Sequence, residues 1–404
     1  MTILGRWITA CVFVAGSSLA FSQAVPPADE PPTAGASDGQ STGVVTPDQR
    51  DQPARVNAGG VSAEAEGTGR NAAASSERRE KDKRDPAEGK SKDDDKPLTV
   101  DQIHHPVLWQ QPGNIAERDL FFGQGGKDHL PRPPFKFVSE DTSGTNPKFD
   151  VDDTDGKKWR VKLGEEARPE VVASRLLWAV GYFANVDYLV PEAEVEGLKM
   201  KRSSGDMKGD RILNARFSRR PAGQEKRGIW EWKSNPFVGT REFNGLRVMM
   251  AVMNNWDLKD INNAVYEDAE GRQIFLASDV GAAFGTNGLS WSRAHSKGNV
   301  ETFKDSKFIT RLTDTEVDFA TPAAPKALLA QSLGFGIIPF AQRAALDSLG
   351  KNIPRNDARW MGSLLGQLSH QQLVDAFKAG GFPPDAIVIY VTLIENRIAD
   401  LKAL

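Results

Sequence analysis

Cysteine is all but missing from this chain: Cys11 is the only one in 404 residues, and it lies in an apolar stretch near the amino terminus. A chain cleaved after that stretch has no disulfide, no thiol nucleophile and no cysteine metal site. Histidine is nearly as scarce. His104 and His105 are adjacent with no further ligand at a useful spacing, and His129, His295 and His370 stand alone. The one Gly-x-Ser-x-Gly, Gly35 to Gly39, lies in a Pro- and Ala-rich stretch without the strand-turn-helix context a nucleophile elbow needs, and His-Glu-x-x-His does not occur, which speaks against serine-hydrolase and zinc-protease chemistry. The formal net charge is only -3, so no global field points to nucleic acid or to an acidic partner. One basic stretch, residues 199–227, has ten Lys or Arg against three acids, but its single aromatic, Phe217, falls short of the interleaved aromatics of a nucleic-acid surface. It reads either as a hold for an anionic substrate or as a solvated insertion. No internal repeat is visible.

The amino terminus, MTILGRWITACVFVAGSSLAFSQAVPP, has the parts of a secretory signal. Arg6 supplies the positive charge, Trp7 to Leu19 an apolar run too short to span a bilayer, and Ser22-Gln23-Ala24 a small-x-small cleavage site. Residues 1–24 are therefore expected to be a signal peptide, the mature chain to carry no transmembrane helix, and the protein to be exported, periplasmic or extracellular. Export without cysteine suits a bacterial envelope protein better than a disulfide-stapled one. Residues 25–98 are rich in Pro, Ala, Gly, Ser, Asp and Glu and have almost no large apolar side chains. Such a segment cannot bury enough surface to offset its ordering entropy, so a disordered linker is expected.

The rest, 99–404, contains all nine tryptophans except Trp7 and suffices for a large folded region. Phe135-Lys136-Phe137-Val138 reads as a first strand, Phe149 and Val151 as a second, DDTDG at 152–156 as a turn. Trp159, Val161 and Leu163 alternate on a third strand, with Lys158, Arg160 and Lys162 on its other face. A short polar loop with Gly144 joins the first two. Residues 165–183 predict a helix with Pro169 in its first turn. Strands are expected near Tyr188-Leu189-Val190 and Ala193-Glu194-Val195. TREFNGLRVMMAVMNN (240–255) predicts a buried helix with Phe243, Leu246, Met250 and Met253 on one face. Beyond it, Ala264 to Tyr266 and Ile274 to Ala277 make a hairpin around Asp268 to Gly271. After about residue 325 the pattern is helical. Strands first and helices later predict an α+β arrangement.

The chemistry concentrates in MNNWDLKDINN (253–263) and SDVGAAFG (278–285). Asp257 follows the buried helix, Asn262 comes five residues later, and Asp279 stands at the far end of the hairpin. A hairpin returns the chain, so the three side chains can converge. Phosphoryl transfer uses such a set: one carboxylate orients the attacking hydroxyl, and a carboxylate and an amide oxygen hold a divalent cation. Asp257-Leu258-Lys259-Asp260-Ile261-Asn262 resembles the D-L-K-x-x-N catalytic loop of protein kinases, and Asp279-Val280-Gly281 resembles their D-F-G metal motif. The resemblance implies Asp257 as catalytic base, Lys259 against the γ-phosphate, and Asn262 and Asp279 as ligands of Mg²⁺ or Mn²⁺. It also implies ATP as cofactor, Lys162 gripping the α- and β-phosphates, and Glu170 as its ion-pair partner, with Glu166 second. Gly144, Thr145 and Asn146 would cover the phosphates, with Lys148 an alternative phosphate ligand.

The sequence departs from ordinary kinases. It has no G-x-G-x-x-G and no A-P-E, and Asn255-Trp256 replaces His-Arg before the catalytic aspartate. The resemblance is therefore to the atypical kinase-like branch, phosphatidylinositol 3/4-kinase-like, HipA-like, spore-coat or secretory-pathway, and it spans roughly 134–290. It implies a two-lobed fold, an N-lobe of antiparallel strands with one helix over about 99–235 and a mainly helical C-lobe over about 236–404. The expected activity is that of an exported, metal-dependent phosphotransferase with a nucleotide donor. The acceptor is open among protein, lipid head group and small molecule. Two alternatives stand beside it: a catalytically silent kinase-fold binding or scaffold protein of the envelope, and a kinase-fold nucleotidyl transferase.

Overall fold

Around Asp153 the chain makes a tight, side-chain-bonded turn. The Asp153 carboxylate accepts hydrogen bonds from the main-chain N–H of Asp155 and Lys157 (both 2.9 Å) and from Trp159 Nε1 (2.9 Å). Gly156 completes the turn at φ +70°. The turn fixes the register of the strands on either side. The structure, a computed structural model, describes residues 95–143, 146–219, 223–255, 257–287, 295–320 and 348–404. The expected signal peptide and nearly all of the expected linker lie outside the described residues. So do Gly144, Thr145 and Trp256.

In chain order the strands and helices begin with β1 (Pro106–Val107), β2 (Phe135–Asp141), β3 (Lys148–Asp152), β4 (Lys158–Lys162), α1 (Ala167–Ala179) and β5 (Val186–Glu196). Next come β6 (Met207–Lys208), β7 (Arg211–Arg219), β8 (Glu225–Gly228), α2 (Arg241–Val252), β9 (Asn263–Glu267) and β10 (Gln273–Ala277). The remainder are β11 (Thr286–Asn287), β12 (His295–Ser296), α3 (Val300–Lys304), β13 (Ile309–Leu312), β14 (Glu316–Phe319), β15 (Ile353–Pro354) and the helices α4 (Arg355–Leu365), α5 (His370–Ala379) and α6 (Pro384–Ala403).

Strands β4, β3, β2, β5 and β7 are neighbours in that order, and β7 returns to pair with β4 through Arg160↔Ser218, Val161↔Phe217 and Lys162↔Arg216. The sheet therefore closes into a five-stranded barrel. Its interior is filled by Phe135, Phe149, Val151, Trp159, Val161, Tyr188 and Phe217, all buried, with the Phe135 and Phe217 rings 4.8 Å apart. As the alternation in β4 requires, Trp159 and Val161 point inward.

This closure corrects the expected two-lobed, kinase-like layout. Its physical source is residues 199–227, read from sequence as a basic loop. They contain β6, β7 and β8, and β7 hides its apolar side (Ile212, Ala215, Phe217) among basic residues while pairing on both edges. The expected boundary near 235 is not a break in packing. One apolar core takes Leu108, Ile115, Leu120 and the α1 residues Val172, Leu176 and Leu177 together with α2, β10 and α4 to α6. Nor are the described residues of the later half mainly helical, since β9 to β15 lie among them. The two short strands expected at 188–190 and 193–195 are one strand, β5, while the hairpin β9–β10 has its turn at Asp268 to Gly271. Among the described residues no helix is long and apolar enough to cross a membrane.

Candidate active site

Helix α2 starts where Thr240 Oγ1 accepts the Phe243 N–H (3.2 Å). It is buried nearly all round; the expected Phe243, Leu246, Met250 and Met253 are joined by Val248, Met249, Ala251 and Val252. Its far end is held by Arg397 of α6, whose Nη1 donates to the carbonyls of Ala251 (3.1 Å) and Val252 (2.9 Å). The chain then turns sharply through Asn254 at φ +56°, and the Phe284 N–H donates to the Met253 carbonyl (2.8 Å). Asn255, fully buried, uses its Oδ1 to accept the Asp257 N–H (3.0 Å).

The loop that follows is cross-tied. Lys259 Nζ lies 2.8 Å from Asp257 Oδ1. Asp260 Oδ1 accepts the Trp232 N–H (2.8 Å). Asn262 Nδ2 donates to the Asp257 carbonyl (2.7 Å), and the Asn262 carbonyl accepts the N–H groups of Ser278 (2.8 Å) and Asp279 (3.0 Å). Asn262 thus binds the two motifs into one hydrogen-bonded unit. Gly281 is required by close approach: a Cβ there would lie 2.9 Å from Glu166 Cβ and 3.0 Å from the Glu166 carbonyl.

On the other side stands Lys162. Its ammonium meets three carboxylates, Glu166 Oε2 at 2.9 Å, Glu170 Oε2 at 3.0 Å and Asp279 Oδ1 at 3.0 Å. Arg216, buried on β7, reaches Glu170 Oε1 (2.7 Å) and Asp187 Oδ1 (3.3 Å). Glu166 is further held by Asn146 Nδ2 (2.5 Å) and Lys297 Nζ (3.3 Å). Burial alone would lower the Lys162 ammonium, but Asp279, Glu170 and Glu166 override it and hold it well above the usual lysine range. Burial also works to raise Asp279, yet the Lys162 charge and hydrogen bond, with Arg216 and Lys148, bring it down to about 2. Burial pushes Glu170 up, to about 7, against the pull of Arg216 and Lys162.

Of the residues predicted from sequence, Lys162, Glu170, Glu166, Asn146 and Asp279 form one polar cluster, and Asp257, Lys259 and Asn262 form the loop attached to it through Asn262. Lys148 stays apart from the cage, 3.8 Å from Asp141 Oδ2. Sequence reasoning missed Arg216, Asp187, Lys297 and Asn185, whose Nδ2 holds the Ser278 carbonyl (2.7 Å). The available signal was Arg216 itself, a charge set between the apolar Ala215 and Phe217.

Two of these side chains are of the kind that could hold a divalent cation. Asp279 is ionised at neutral pH and keeps 44% of its side chain open to solvent. Asn262 spends its Nδ2 on the Asp257 carbonyl, which turns Oδ1 into the atom left to accept. One carboxylate and one amide oxygen are a hard, sparse set that suits Mg²⁺, which takes its remaining ligands from water and phosphate. Among the described residues no cluster of three or more His, Cys, Asp or Glu is arranged to hold a metal by itself.

No family model matches this chain, and no curated protein matches it. Among solved structures, it is similar to the crystal structure of a Helicobacter pylori proinflammatory kinase, CtkA. The TM-score is 0.36 and the identity 9%, over 67% of this chain and 97% of that one. A likeness at that level carries no argument about activity.

Proposed function

We propose that this chain is a metal-dependent phosphotransferase, moving a phosphoryl group from ATP or another nucleotide to a hydroxyl-bearing acceptor. The observation that carries the reading is the bond set of Asn262, which joins the loop of Asp257 to the main chain of Asp279. Asp257, partly open and beside Lys259, would take the acceptor's proton. Lys259 would face the transferred phosphoryl group. Asp279 and Asn262 would hold Mg²⁺ or Mn²⁺, which when bound would neutralise phosphate oxygens. Glu166, Glu170 and Arg216 position Lys162 and Asp279 rather than touching substrate. Export through residues 1–24 belongs to the same proposal and calls for a donor available outside the cytoplasm.

A second reading, a catalytically silent binding or scaffold protein of the cell envelope, is favoured by one observation. All three Lys162 N–H groups are already taken by carboxylates. Intact-mass spectrometry of the purified chain with Mg²⁺ or Mn²⁺ and ATP, with ADP release followed in parallel, separates them. Phosphotransfer adds about 80 Da to a protein acceptor, and adenylyl transfer about 329 Da, by the mass of the transferred group. Activity in the parent that disappears in Asp257→Ala and Asp279→Ala is the expected result. No product with any acceptor, together with unchanged nucleotide binding in both variants, would leave the silent reading standing.

A further inference from the structure

The outward face of the β3–β4 ladder follows a rule and then breaks it. Asp152 stands opposite Lys158, and Asp150 opposite Arg160, whose Nε lies 2.5 Å from Asp150 Oδ1. The third pair on that face is Lys148 opposite Lys162. Like charges directly opposed across a ladder are destabilising unless something negative compensates both.

Only one of the two is hydrogen-bonded to its counter-charges. An ammonium has three N–H donors, and Lys162, 4% exposed, places them on Glu166, Glu170 and Asp279. Lys148 Nζ makes no hydrogen bond among the described residues. Its one ionic neighbour, Asp141, is 3.8 Å away and already receives Arg160 Nη1 (2.8 Å), the Ser143 N–H (2.9 Å) and the Ser143 hydroxyl (2.6 Å). Lys148 is 21% exposed, so its ammonium is neither buried nor lost to bulk water. It stands close enough to Asp279 to be drawn by that carboxylate and repelled by Lys162.

We infer that Lys148, and not Lys162, is the cation that binds the donor's phosphate chain, while Lys162 is an internal counter-ion that holds Glu166, Glu170 and Asp279 in position. This rests on the donor site proposed above, though not on turnover there. A polyphosphate approaching Lys162 would meet three carboxylates already hydrogen-bonded to it. Approaching Lys148, it would meet three N–H donors that no described residue hydrogen-bonds and supply the close acceptors that Lys148 lacks.

The test is calorimetric titration of the full chain with magnesium tripolyphosphate and with MgATP, alongside thermal melting, for the parent, Lys148→Gln, Lys148→Arg and Lys162→Gln. Lys148→Gln is expected to weaken tripolyphosphate and ATP alike by about tenfold or more, as the loss of a charge-assisted hydrogen bond does, with the melting temperature kept. Lys148→Arg should recover most of the affinity. Lys162→Gln should act first on melting, by about 5 °C or more, because it leaves three carboxylates facing one another. Affinity in Lys148→Gln within twofold of the parent would overturn the inference, and if the parent transfers phosphate the functional proposal would survive it. Lysine-148-dependent tripolyphosphate binding with no transfer to any acceptor would uphold the inference and remove the phosphotransferase. Absence of binding to both probes in the parent would overturn both.

Discussion

At Gly281 the side chain that is missing matters more than any that is present. An added Cβ would press on Glu166 Cβ and on the Glu166 carbonyl, and main-chain atoms cannot swing aside. Gly281→Ala is therefore expected to destabilise the fold by about 1–3 kcal/mol, the usual range for overpacking, and to displace Asp279 from Lys162. Urea unfolding measures the first effect, and loss of metal-dependent nucleotide binding the second. The aspartates predict a pH response. Asp279 and Asp141 are both held near 2 when folded, against an unfolded value near 3.8. For Asp141 burial works upward, and hydrogen bonds from Ser143 with the charges of Lys148 and Arg160 overcome it. A depressed carboxylate stabilises the fold fully above its unfolded value and loses that contribution as pH falls towards its folded value. Urea midpoints should thus rise as pH falls from about 7 towards 5, where the fold takes up a proton on Glu170, and drop between about pH 4 and 2, with Asp141→Asn flattening that drop. At this scale the sequence was readable wherever chemistry is local. Asp257 and Asn262 lie five residues apart, and Asp279 follows one hairpin later. Arg216 and Asp187 were not readable, because their shared partner network with Glu170 forms only when β5, β7 and α1 meet.

Among the elements, α2 carries the longest consequence. Its carboxyl end leads straight into the Asp257 loop, and the carbonyls of Ala251 and Val252 are satisfied by Arg397, buried 146 and 145 residues away in the chain. The guanidinium also lies over the Phe303 ring (4.2 Å) and donates to Ser306 Oγ (2.6 Å). Replacing it by Met should cost about 1–3 kcal/mol, as for buried acceptors left without donors. If Arg397 positions the loop, Arg397→Met lowers kcat more than it raises KM, and Arg397→Lys restores part of the loss. A purely structural role would change the melting temperature and leave the ratio of the two constants alone. Helix α2 was legible because its run of apolar residues is long and nearly unbroken, and the β3–β4 hairpin because its turn residues and alternation agree. Strand β7 was not, since Arg211, Arg216 and Arg219 interrupt its apolar residues along the sequence and charge outweighed alternation in the reading.

For the whole molecule, closure is the property that no local pattern announces. Whether five strands lie open or join end to end depends on Val161 meeting Phe217, two residues that nothing in sequence links. Phe217 packs on Phe135 at 4.8 Å and on Trp159 at 6.3 Å, so it fills the barrel from the closing strand. Phe217→Ala should therefore destabilise by about 3–5 kcal/mol, the range for large aromatic truncations in cores. It should also lower nucleotide affinity through Arg216, its neighbour on the outer face. Denaturant titration followed by barrel tryptophan fluorescence, read beside nucleotide binding, checks both.

The staves of this barrel are not equally bound. Strands β5 and β7 share eight residue pairs, Val186↔Arg219 to Glu194↔Arg211, whereas β2 meets β5 in parallel at only Phe135↔Val195 and Lys136↔Glu196. A cylinder yields where its rim is stitched least. Amide hydrogens at that short join are the ones that should trade with deuterium first. The opposite join, β4 to β7, carries Lys162 and Arg216 on facing strands, so the charged cage rides on the side that stays shut.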